Sequence, residues 1–246
     1  MSASVVVPVK DEAGLLPRLL AALAAQRPKV EVVVAIAPDT TDRSRELVAA
    51  GGVRWVEGGT PAVGRNAGAR VASGETLVFL DADVLPPDDG FVARACADLA
   101  RQGLDVGAAR YRSLGSGLGE RFFYALYNAL QATATAVGQP YYMGACLFVR
   151  RAVHEALGGF DAAIAFAEDY EYVARAVGRG HRAGLLRGVH IVADGRRIRE
   201  YGLGRTLWAG LRAELHRRRH GEIHDLGVVD PHYFERRSPP ARAGGA

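Results

Sequence analysis

Apolar positions along this chain follow two rhythms. Residues 5–9 are a β-branched run containing Pro8, and Leu15, Leu16, Leu19, Leu20 and Leu23 then recur at helical spacing, which predicts strand, turn, helix. Residues 32–36 form a second apolar run without polar alternation, as expected of a strand covered on both faces in a parallel sheet. Asp42 is placed to cap a helix that turns Leu47 and Val48 inward. A third strand is predicted at 53–56, a helix at 64–72 and a fourth strand at 76–80. The order βαβαβαβ implies an α/β fold with an open, mostly parallel sheet, helices on both faces and ligands outside the carboxyl ends of the strands. Pro8, Ala37 and Asp81 fall at those ends, so one crevice should collect them. Beyond residue 110 the rhythm loosens. Gly115, Gly117 and Gly119 mark a loop, residues 122–137 predict a helix rich in aromatic and small side chains, and residues 185–193 predict another strand.

Composition narrows the picture. With 246 residues, 49% of them hydrophobic, the chain can bury one large core. One domain over 1–203 is expected, followed by a basic helical appendage at 204–237 and a disordered Pro/Gly/Ala/Arg tail at 238–246. Cys96 and Cys146 lie far apart in apolar surroundings and read as reduced core residues. The longest uncharged stretch, residues 122–149, has the length of a membrane span, but Asn128, Gln131, Gln139 and Pro140 interrupt it. No charged-then-apolar leader precedes residue 5, so a soluble, cytoplasmic protein is the expectation. Net charge is a modest +4, but residues 194–219 carry eight arginines against three acids. An anionic membrane surface is therefore a candidate partner for that segment, and no nucleic-acid partner is expected.

Candidate chemistry centres on TLVFLDADVL, residues 76–85, where an apolar strand ends in Asp81-Ala82-Asp83. Two carboxylates so spaced can share a divalent cation with a diphosphate, although acidic turns are also common where strands end. The turn Pro8-Val9-Lys10-Asp11-Glu12 precedes a helix, so Asp11 is also a plausible N-cap. In PAVGRNAG, residues 61–68, Arg65 can clamp a diphosphate bidentately or stand exposed on an Ala/Gly helix. Glu168 and Asp169 head a helix running to Val177. They either complement its dipole or supply a base for an acceptor hydroxyl.

Taken in order, VVVPVKDE, Arg65-Asn66-Ala67-Gly68, FLDAD, Gly158-Gly159-Phe160-Asp161 and Glu168-Asp169 resemble the family 2 glycosyltransferases of GT-A fold, over roughly residues 4–200. The resemblance implies an enzyme that moves a sugar from a nucleotide-sugar donor to a hydroxyl acceptor, with Mn2+ or Mg2+ against the donor diphosphate. It places Pro8, Val9 and Glu12 in the first nucleotide-contacting turn, Arg65 on the donor side, and Asp81-Ala82-Asp83 at the metal, with Asp83 the preferred ligand and Asp81 toward the ribose. Asp169 matches the base, with Glu168 as its neighbour, and inversion is inherited with the family. The acidic pair that usually follows the second strand is replaced by Ala37-Pro38, so Asp39 is the candidate substitute and the nucleotide base stays open.

Three later features extend the resemblance. His190 is a candidate third metal ligand, though a lone strand histidine is more often a packing residue. Arg197, within Arg196-Arg197, is a candidate to neutralise the leaving diphosphate. Leu203, Leu207, Leu211 and Leu215 with Trp208 form a helical stripe before HRRRH, residues 216–220. That helix either lies on an anionic membrane or packs on the domain and exposes its charges. FLDADVL also fits the nucleophile motif of haloacid-dehalogenase-like phosphatases, with Asp81 as nucleophile, but no lysine exists after Lys29 to support it. A non-catalytic nucleotide-sugar-binding protein is the other alternative. The acceptor, whether lipid, glycan or small metabolite, is not encoded in any motif; residues 111–119 and 139–144 are the loops that would shape its pocket.

Overall fold

The computed structural model describes residues 2–229. Its elements in chain order are β1 (Ala3–Val9), α1 (Leu16–Ala24), β2 (Glu31–Ile36), α2 (Ser44–Ala50), β3 (Arg54–Glu57), α3 (Pro61–Val71), β4 (Thr76–Leu80), β5 (Val84–Leu85), α4 (Phe91–Arg101), β6 (Val106–Ser113), α5 (Leu118–Ala136), β7 (Cys146–Arg150), α6 (Arg151–Leu157), α7 (Glu168–Gly178), β8 (Ala183–Ala193), α8 (Arg196–Tyr201) and α9 (Leu203–His220). They build one eight-stranded sheet in the order β3-β2-β1-β4-β7-β6-β8-β5. The first four strands pair in parallel, as do β6 and β8. β7 runs antiparallel to both β4 and β6, and β5 antiparallel to β8. The expected α/β sheet with helices on both faces is present.

Burial on both faces explains the apolar runs without alternation. Along β1, Val5, Val7 and Val9 face a layer containing Leu16, Leu19, Leu23 and Phe91, while Val6 faces a second layer with Ala62, Ala69, Leu157 and Tyr172. Gly68 lets α3 lie directly on β1, since a Cβ there would sit 2.3 Å from the Val6 side chain. Cys96 and Cys146 are free and buried, and burial pushes the Cys96 thiol up to about 11.

Two capping expectations are corrected. α1 begins only at Leu16, without a side-chain cap, because residues 10–14 are spent in a turn. Asp11, at φ +52°, instead accepts from the Thr41 and Asp42 amides at 2.7 and 3.2 Å, joining the turns after β1 and β2. α2 begins two residues beyond Asp42, whose carboxylate accepts from the Ser44 and Ala13 amides.

The C-terminal helix is fastened to the domain rather than splayed from it. Ala209 and Ala213 of α9 join Ile223 and Val229 in a small cluster against Phe166, and the Ala165 amide donates to the Ile223 carbonyl at 2.8 Å. The predicted tail at 238–246, with residues 230–237 of the appendage, lies outside the described residues.

Candidate active site

Strand ends and helix starts deliver the site. β4 is buried throughout, and its alternation continues past Leu80: Ala82 points into the core at 4% exposure while Asp81 and Asp83 flank it, half-buried, at the mouth. Val9 is likewise buried, so it and Ala82 can offer a ligand backbone but little side chain. Pro8 packs beside Gly64 of α3.

Arg65 is the hub. It rises from α3 with 2% exposure, and one guanidinium serves two strand-to-helix junctions: Nη2 donates to Asp81 Oδ1 at 2.8 Å, and Nη1 to Glu168 Oε1 at 2.5 Å. Burial would depress its pKa, but the charges of Asp81, Glu168 and Asp169 together raise it. The ring of Phe160 lies 5.3 Å from the guanidinium carbon. Phe160 is itself clamped by Asn66, whose amide donates to the Phe160 carbonyl and accepts from its N–H at 2.8 and 2.9 Å. The Arg65-Asn66 pair therefore holds Asp81 with one side chain and the Gly158-Gly159-Phe160 turn with the other.

Asp169 stands in the first turn of α7. Its carboxylate accepts from the Gly144 amide and, at 2.9 Å, from the Tyr170 amide. Gly144 is required there, because a Cβ would fall 2.8 Å from Asp169 Cβ and 2.9 Å from Arg65 Nη2. Burial, and then the neighbouring Glu168, push the Asp169 carboxyl from 3.8 up to about 7, against the pull of Arg65 and both amides. Tyrosines wall this corner. Tyr141 stacks on Tyr170 with centroids 3.7 Å apart, the Met143 amide donates to Tyr127 Oη, and the Tyr111 hydroxyl donates to the Met143 carbonyl. A poised carboxylate in an aromatic corner beside a loop is suited to taking a proton from a bound hydroxyl.

On the other side of Asp83, Arg196 at the start of α8 reaches back to Glu12 with two hydrogen bonds, at 2.9 and 3.2 Å. Its bonds to Glu12, helped by the charges of Glu12 and Asp83, raise its pKa against the cost of burial. Of the double arginine, Arg196 thus joins the crevice; the side chain of Arg197 lies outside the described residues. The Asp194 amide donates to the Asp83 carbonyl at 2.9 Å, so β8 delivers α8 beside the acidic pair.

The remaining expectations divide. Asp39 sits exposed at the mouth with Lys10 Nζ at 2.5 Å from Oδ2, and that hydrogen bond lowers its pKa. His190 is not gathered with Asp81 and Asp83: it pairs in register with Arg110, and burial followed by Arg112 lowers its pKa. Among the described residues no three His, Cys, Asp or Glu side chains form a metal-holding group. Two carboxylates nevertheless suit a small hard cation, which characteristically keeps waters and takes substrate phosphates beside one or two protein oxygens. Since Arg65 engages one oxygen of Asp81, Asp83 is the principal candidate ligand. A cavity of about 420 Å³ opens between β6 and α5, lined by Arg112, Ser113, Gly115 and Arg121, within the loop expected to face the acceptor. Motif reading missed Gly144, which touches the site only through backbone. The glycine directly before an apolar strand was its one available signal.

Comparison with known proteins agrees with this arrangement. The sequence profile of glycosyl transferase family 2 matches residues 4–158. Among solved structures, the mannosyltransferase PcManGT from Pyrobaculum calidifontis, in complex with GDP-Man and Mn2+, is 25% identical with a TM-score of 0.64 over 85% of this chain and 63% of its own. S. aureus TarS 1–349 in complex with UDP is 21% identical, TM-score 0.59, over 83% of this chain and 64% of its own. Glucosyl-3-phosphoglycerate synthase from Mycobacterium tuberculosis, with Mn2+, UDP and glucosyl-3-phosphoglycerate, is 18% identical, TM-score 0.62, over 92% and 82%. The chain thus spans less than two thirds of the first two. No curated protein matches the sequence.

Proposed function

The chain belongs to glycosyl transferase family 2, and on that premise we propose that it moves a sugar from a nucleotide-sugar donor to a hydroxyl acceptor, with inversion and with dependence on Mn2+ or Mg2+. The observation that carries this reading is the Arg65 hub, which ties the strand-end acid Asp81 to the Glu168-Asp169 junction and so sets a candidate base beside a candidate donor site. Residues 1–203 form the catalytic unit in this proposal, with the helical segment from 204 as its appendage. The phosphatase alternative finds no support, since the family match lies elsewhere and the cation on Asp81 is a buried arginine.

Asp83, with Asp81, would hold the cation, which supplies Lewis-acid neutralisation of the donor diphosphate when bound. Asp169 accepts the acceptor hydroxyl's proton as that oxygen bonds to the anomeric carbon and the bond to the diphosphate oxygen breaks. Arg196 keeps a permanent positive charge beside Asp83, where the departing diphosphate gathers negative charge. One base on the acceptor side and no enzyme nucleophile is the requirement of a single displacement, hence inversion. Glu12 and Asp39, at the ends of β1 and β2, are placed on the nucleoside side of the crevice. GDP in one solved neighbour and UDP in others leave the base open.

Calorimetric titration of nucleotide-sugars with and without Mn2+ tests the reading. Asp83→Ala is expected to erase the metal-dependent gain in donor affinity, a loss of about 10-fold or more. Undiminished metal-dependent binding would remove Asp83 from the metal. The acid limb of kcat/KM offers a second check. Asp169 works only when ionised, so activity should fall as pH drops through about 7. The linkage to stability has the opposite direction. The folded pKa lies above 3.8, so the native state retains a proton the unfolded chain has released, and this group's stability contribution declines as pH rises toward and through about 7. An acid limb near the usual carboxylate range would exclude Asp169 as the titrating base.

A further inference from the structure

Helix α9 has two apolar sides, and the larger one is turned outward. Thr206, Ala209 and Ala213 are buried against the domain. At about 100° per residue, Leu207, Trp208, Leu211 and Leu215 fall on the opposite side. All four are exposed, Trp208 by 61%. A surface helix ordinarily points its large apolar residues at the core; here small residues do the packing and large ones meet solvent. The expectation that this stripe packs on the domain is therefore reversed.

Helix α5, which α9 touches, repeats the arrangement. Tyr124, Tyr127 and Gln131 face inward, while Leu118, Phe122, Leu130 and Val137 are exposed, the first by 81%. No charged residue occurs from 122 to 149. Charge is concentrated on α9 instead, where Arg205, Arg212, Arg217, Arg218 and Arg219 oppose a single acid, Glu214. On the helical wheel Arg212 and Arg219 border Trp208, and Arg218, paired with Glu214, borders Leu211.

We propose that the α5–α9 face docks on an anionic lipid bilayer, with the leucines and aromatics at the headgroup boundary and the flanking arginines on lipid phosphates. Charge complementarity selects this occupant. Self-pairing across a two-fold axis would set one arginine row against its copy, whereas an anionic leaflet satisfies both the apolar stripe and its basic rim. No helix among the described residues is long and apolar enough to cross a membrane, so the contact is peripheral.

The test is flotation of the full chain with phosphatidylcholine vesicles, with and without phosphatidylglycerol. Binding is expected only with phosphatidylglycerol, and it should weaken as salt rises. Arg212→Gln and Arg219→Gln should each reduce partition about fivefold, and Leu211→Glu/Leu215→Glu by roughly tenfold or more. Trp55→Phe leaves Trp208 as the sole tryptophan, and its emission should shift to the blue on phosphatidylglycerol vesicles. That readout needs no disruptive variant. Failure to float, partition indifferent to Leu211→Glu/Leu215→Glu, an unshifted Trp208 or concentration-dependent self-association in place of vesicle binding would each overturn the proposal.

Discussion

Asp169→Asn is expected to bind nucleotide-sugar as the parent does and to transfer sugar about 10²–10⁴-fold more slowly, the usual contribution of a positioned general base. The substitution is gentle on the fold. Its amide oxygen can still accept from Gly144, and Arg65 keeps its contacts to Asp81 and Glu168. A change confined to kcat, read beside unchanged calorimetric donor affinity, is therefore the signature of lost proton transfer. Full turnover by this variant would take the base role away from Asp169. A parallel loss of donor binding would place the residue on the donor side instead.

The largest structural effect is expected at Arg65. Arg65→Met keeps most of the volume but leaves Glu168, 8% exposed, and Asp81 without their shared cation. Breaking a buried ion pair by removing one partner costs about 3–5 kcal/mol, here on the order of 10 °C in Tm. Arg65→Lys should recover little, because a single ammonium cannot reach two carboxylates in a forked arrangement. Arg65→Met/Glu168→Gln should recover part of the loss, since the buried charge goes with its partner. Equilibrium urea unfolding of these three variants reads the ordering. A parent-like midpoint for Arg65→Met would show that the hub is not what holds α3 to α7.

Local pattern made much of this molecule legible. β4 occupies 76–80 as expected, because a strand buried on both faces is an unbroken apolar run between Gly74 and Asp81. The Glu168-Asp169 helix and the β8 strand were equally plain from periodicity and acidic start. What pattern does not carry is direction and partnership. β7 reads as an apolar run in either orientation, so its antiparallel pairing is invisible until β4 and β6 are in place. A helix with apolar residues on two sides, such as α9, does not declare which side is inside. Only the fit of Ala209 and Ala213 against Ile223 decides it. Gly144 acts through an N–H that every residue but proline possesses, and Arg196 is distinguished from Arg197 only by where α8 begins.

The ties that complete the site have a temporal consequence. Arg65 meets Glu168 across 103 residues of sequence, and Glu12 meets Arg196 across 184. The β1–β4 half of the sheet closes through short crossovers and needs nothing from the later chain except β7 along one edge. A growing polypeptide can thus shape the mouth where Asp81 and Asp83 stand while still lacking the carboxylate of Asp169 and the arginine that clasps Glu12. Binding surface comes first on the ribosome and proton transfer last, so an unfinished chain is held inert by the order of its own synthesis.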